Sequence, residues 1–107
     1  MDDQDIPETL IEAIGSLLAT LSADQQTKIL ALEENEFIAI SHFVLGLWVR
    51  NRWVYPAKTG WFADSRKSAI HNDDISAFVC KQLHRAVHGK AISDAKVCPS
   101  WMDDVDE

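Results

Sequence analysis

The residues of this sequence whose types and spacing could do chemistry stand in one apolar run and in the motif that follows it. His42, Gly46, Trp48, Arg50 and Asn51 interrupt the stretch Ile40-Ser41-His42-Phe43-Val44-Leu45-Gly46-Leu47-Trp48-Val49-Arg50-Asn51, and His71-Asn72-Asp73-Asp74 comes after a loop. On a helix, side chains four apart share a face, so His42, Gly46 and Arg50 form one row with a gap at the glycine. One chemistry open to that row is a polar pocket, with Arg50 and Asn51 holding an anion such as phosphate while His42 or His71 moves a proton. The other reading is structural and is preferred. Gly46 lets a neighbouring helix approach, His42 is satisfied in the core, and Arg50 and Asn51 sit where the helix reaches solvent, since buried polar groups normally find partners. Asp73 or Asp74 can pair with Arg50 across the bundle, although two aspartates at a helix start are already favoured by its dipole. His71 beside those aspartates lacks further ligands, so no metal site is expected, and no cofactor.

The elements that must position these groups are helices. Leu10, Ile14, Leu17, Leu18 and Leu21 make one stripe of a helix from about Pro7 to Leu21. Ser22 with Gln25 reads as a capping box opening a second helix, Ala23 to about Leu32. A third helix, residues 35 to 55, is apolar around most of its circumference, which predicts a place in the middle of a bundle. Pro56 and Gly60 break the pattern, leaving a loop anchored by Trp61 and Phe62, with a short helical turn possible near residues 63–68. Asn72 is the predicted N-cap of the last helix, which carries Ile75, Phe78, Val79, Leu83, Ala86 and Val87 and stops at Gly89. The expected fold is all-α, a compact bundle of four main helices around the central apolar one. Residues 1–89 form the helical domain, and residues 90–107 an acidic C-terminal tail ordered only on binding.

Composition bounds the partners. The chain has 107 residues, 47% of them hydrophobic, and a net charge of −7, enough for one folded domain. Residues 1–49 hold Lys28 against nine carboxylates, whereas residues 50–90 hold eight Lys and Arg against Asp64, Asp73 and Asp74. Nucleic acid is disfavoured by the overall sign, and a basic protein partner is favoured. No apolar run is long enough for a membrane span, and the acidic opening lacks a leader's features, so a cytoplasmic protein with Cys80 and Cys98 as free thiols is expected. Trp53, Tyr55 and Trp61, close to several cations, and Trp101, Asp103 and Asp104 in the acidic tail, are the candidate partner-contacting residues. A homodimer through exposed aromatics is a further option.

The core run and the His71-Asn72-Asp73-Asp74 motif resemble a family of small bacterial domains of unknown function with the pattern L-H-F-x-L-G-x-W-I-R-N, then H-P-D-D before a final helix. The resemblance spans about residues 6 to 89. It implies that His42, Gly46, Trp48, Arg50, Asn51, His71, Asp73 and Asp74 form one shared constellation, structural or ligand-binding. Asn72 in place of proline and the altered loop at residues 52–70 depart from the pattern. With no recognisable catalytic set, the expected function is non-catalytic protein binding, most plausibly as an immunity-type or inhibitor protein. The alternative is a small-ligand or phosphate-binding domain, enzymatic or not, built on Arg50, Asn51 and a histidine.

Overall fold

A computed structural model describes residues 6–68 and 71–99. These residues form an all-helical bundle of α1 (Leu10–Thr20), α2 (Ala23–Leu30), α3 (residues 34–54), α4 (Gly60–Ser68) and α5 (Asn72–Val87). Pro7 lies before α1 rather than in its first turn. Thr9 caps the helix, its hydroxyl accepting the Glu12 N–H at 3.1 Å. The capping box of α2 is formed as predicted: the Ser22 N–H donates to Gln25 Oε1 at 2.8 Å and the Gln25 N–H to Ser22 Oγ at 3.1 Å. At α5 the cap position falls on His71, one residue earlier than predicted, and no side chain accepts there. Asp73 and Asp74 occupy the first turn, where the helix dipole favours them.

The core gathers Leu10, Ile14 and Leu17 of α1, Ile29 of α2, Phe37, Val49, Trp53 and Val54 of α3, Trp61 and Phe62 of α4, and Ile75, Phe78, Val79 and Leu83 of α5. Burying each such side chain contributes about 1.5–3 kcal/mol against chain entropy. The helical turn expected near residues 63–68 is a full helix beginning at Gly60. That glycine has φ +88°, which L side chains rarely adopt, and a Cβ there would also lie 3.0 Å from the Glu8 backbone carbonyl oxygen, so the position favours glycine. The close approach lets the Trp61 N–H donate to the Glu8 carbonyl at 2.8 Å, fastening α4 to the start of α1.

The apolar helix α3 is not enclosed on all sides. It buries Phe37, Ser41, Gly46, Val49, Arg50, Trp53 and Val54, and exposes Ile40, Phe43, Val44, Leu47 and Trp48. Buried and exposed positions each recur every four residues. An ordinary α-helix turns about 100° per residue, so a row with that spacing would drift about 40° around the axis at every repeat. Two π-helical turns, His42–Gly46 and Arg50–Val54, each take in an extra residue and offset the drift. The helix therefore keeps one face on the bundle and the other on solvent along its length. The more enclosed helix is α5, where Ser76, Gln82 and His84 are buried along with the apolar stripe.

Residues 90–99 are not a loose tail but a strap along α4 and α5. The Ser93 N–H donates to Gln82 Oε1 at 2.7 Å, the Trp61 indole to the Ala95 carbonyl at 3.0 Å, and the Cys98 N–H to Ser65 Oγ at 2.8 Å. Ile92 packs against the core and Cys98 is buried in it. Side chains supply the hydrogen bonds that a segment without secondary structure cannot give itself.

Candidate interaction face and the Arg50 clamp

Arg50 is only 6% exposed, and its guanidinium faces the N-terminal turns of α5. Nη1 donates to Ser76 Oγ at 2.8 Å, Nη2 to the His42 carbonyl at 3.4 Å, and Nε lies 3.4 Å from Asp73 Oδ1. Ser76 in turn donates to the Asp73 carbonyl at 3.0 Å. The glycine gap has a definite use. A Cβ at Gly46 would stand 3.2 Å from Arg50 Nη1 and 3.6 Å from Ser76 Oγ, so the guanidinium and hydroxyl occupy the space a side chain would fill. Asp73 and Ser76 are three apart and Ser76 and Cys80 four apart, so one row of α5 meets Arg50. Burial pushes the Cys80 thiol up to about 12 from its ordinary 9.0, with the Arg50 charge opposing it as the smaller effect. At neutral pH that thiol is protonated and a poor nucleophile.

Of the predicted constellation, the structure therefore brings together Arg50, Asp73, Gly46 and His42, the last through its backbone carbonyl. Ser76 joins them and was not anticipated; its spacing from Asp73 was the available signal. Asn51 and His71 are exposed and Asp74 half-buried. The Asp74 carbonyl lies 3.8 Å from the Cys98 thiol sulfur. Trp48 belongs to another neighbourhood, edge-on to Trp53 at 5.1 Å with the Arg52 guanidinium 5.4 Å from its ring. The geometry makes a clamp between α3 and α5, with the guanidinium's nitrogens engaged and little of it open to an anion. Among the described residues no three His, Cys, Asp or Glu side chains converge to hold a metal ion.

The proposed partner-contacting aromatics divide sharply. Trp53 and Trp61 are 4% and 5% exposed and offer almost no surface, because both are packed into the core. Trp53 packs on Phe62, and Trp61 stacks on Phe78 at 6.1 Å with its indole N–H bonded into the strap. Tyr55 is exposed, and its carbonyl, with that of Val54, accepts from Arg66 of α4, which closes the end of α3. Trp101, Asp103 and Asp104 lie outside the described residues.

What the aromatic count pointed to lies instead on the outward face of α3. Phe43 is 77% exposed, Val44 75% and Ile40 62%, and Leu47 and Trp48 continue the stripe. Beside it α1, α2 and α3 enclose a groove of about 660 Å³ walled by Leu17, Leu21, Ile29, Val44, Leu45 and Trp48. Scattered exposed apolar side chains are ordinary, but a continuous stripe beside an apolar groove is the form of a binding surface. The missed signal was the four-residue spacing, which pairs residues 39/40, 43/44, 47/48 and 51/52 on one side.

Fold and face together define a small helical domain with a fastened core and one apolar face left open. The chain belongs to the family described as domain of unknown function DUF6794, whose profile matches residues 6–87. Searches of curated proteins and of solved structures return no match. No helix among the described residues is long and apolar enough to cross a membrane.

Proposed function

We propose that this is a non-catalytic protein-binding domain with the outward face of α3 as the apolar centre of its interface. The observation that carries the reading is the continuous exposed stripe from Ile40 to Trp48 beside the groove. Support also comes from the polar groups of the core, because Arg50 is engaged as a clamp and Cys80 is buried and protonated. The finer reading is an immunity-type or inhibitor protein that neutralises a basic toxin or effector. It draws on the net charge of −7 and on the exposed carboxylates of α1, α2 and the start of α3, which complement a basic cleft and speed encounter. A bacterial, cytoplasmic setting fits the free thiols Cys80 and Cys98, and the L-H-F-x-L-G-x-W-I-R-N and H-P-D-D pattern is taken as the family's own.

The test is affinity capture from the native lysate at moderate salt, with the tagged native chain beside a Phe43→Glu variant. The expected result is a stoichiometric partner on the native chain that the variant loses. Absence of any saturable protein partner, a second copy included, would overturn the reading.

A further inference from the structure

The outward stripe of α3 has opposite charges at its two ends, and that feature points to its occupant. Stepping by four residues, the row runs Glu36, Ile40, Val44, Trp48, Arg52, with Phe43 and Leu47 alongside. Glu36 and Arg52 are both exposed, and Val44 is the midpoint of the row. An antiparallel second helix of the same sequence, related by a two-fold axis at Val44, sets Glu36 against the other copy's Arg52 at both ends. Ile40 then meets Trp48, and Val44 meets its own counterpart. A closed two-fold interface needs such self-complementarity, because each residue must suit the position reached by the symmetry. The helix dipoles also oppose favourably in this arrangement.

We infer that a second copy of this chain covers the outward face of α3, making an antiparallel homodimer through the row from Glu36 to Arg52. The inference rests on the reading of this face as an interface and names its partner. A heterologous partner on α3 is the competing occupant, and nothing in its chemistry requires the stripe to be complementary to itself.

The experiment is sedimentation equilibrium of the full chain over a range of concentrations, for the native protein, Glu36→Arg, Arg52→Glu and the double charge swap. The native protein is expected to approach twice the 12.0 kDa chain mass. Each single reversal should weaken dimerisation by about tenfold or more, through like charges at both ends of the row. The double swap should restore it, which a partner of any other sequence would not bring about. Glu36 also accepts the Glu33 N–H in the α3 capping box, at 2.9 Å, so Phe43→Glu serves as a second variant that leaves the cap intact and should also give a monomer. A native chain that stays monomeric at its highest soluble concentration overturns the dimer, and so does a double swap that fails to recover association while folded by circular dichroism. The reading of α3 as an interface fails separately, if Phe43→Glu leaves all partner binding unchanged.

Discussion

Helices α3 and α5 pack against each other, yet the helix that is more polar in sequence is the more deeply enclosed. α5 buries Ser76, Gln82 and His84 because each has a partner waiting: the Arg50 guanidinium, the Ser93 N–H and the Leu32 carbonyl, the last 2.7 Å from His84 Nε2. α3 is apolar on almost every side and buries only one of them. Hydrophobicity alone therefore does not locate a helix in this fold. What locates it is whether its polar groups can be paired, since an unpaired buried group costs about 1–3 kcal/mol whereas an exposed apolar one costs the fold little.

The contrast can be broken or sharpened by substitution. Truncating Phe78 of α5 to Ala should cost the largest amount, about 3–5 kcal/mol in chemical denaturation. If it costs under about 1 kcal/mol, α5 is not the enclosed helix. Arg50→Met removes the clamp and should lower stability by about 2 kcal/mol, seen as a lower Tm. Asp73 is 63% exposed, so most of that loss comes from the buried bond to Ser76 rather than from the ion pair. Gln82→Ala releases the strap at Ser93 and should cost about 1 kcal/mol, with faster amide exchange in residues 91–98. At the small end, Phe43→Gln on α3 should change the stability of the monomer by no more than about 0.5 kcal/mol.

Cys80 adds a dependence on pH. Its thiol titrates at about 12 when folded against an ordinary 9.0, so the folded state holds this proton more tightly. The group's contribution to stability is complete below pH 9.0 and is lost as pH rises towards 12. Cys80→Ala should flatten that alkaline decline in a urea series without altering the slope at neutral pH.

Much of the bundle was legible in the sequence because its signals are local. The Ser22–Gln25 box and the stripe of α1 depend only on near neighbours in the chain, and the aspartates of α5 could be placed in its first turn for the same reason. The pairing of Arg50 with the His71-Asn72-Asp73-Asp74 segment was legible as a possibility, from aspartates at a helix start and an arginine on the preceding helix, but Arg50 is 6% exposed rather than at the solvent end of its helix, because Ser76, Asp73 and the His42 carbonyl take up its nitrogens. Two things were hidden. The four-residue spacing of α3 has meaning only if the helix contains π turns, and without them Ile40, Val44 and Trp48 spread around the axis and read as core. The strap depends on Gln82 and Ser65, whose partners are backbone groups that composition cannot reveal, and Trp61 looked available because its bond to Ala95 spans elements far apart in the chain.

The central claim, that α3 carries one face for the core and another for a partner, is tested most directly by replacing Ile40, Phe43, Val44 and Leu47 together with glutamine. Cooperative chemical unfolding would be compared with the native chain under conditions dilute enough to keep both monomeric. A cooperative transition with stability within about 1 kcal/mol of native is expected, because none of the four side chains is buried and glutamine is a good helix former. Loss of the cooperative transition would mean that this face belongs to the core and would contradict the claim.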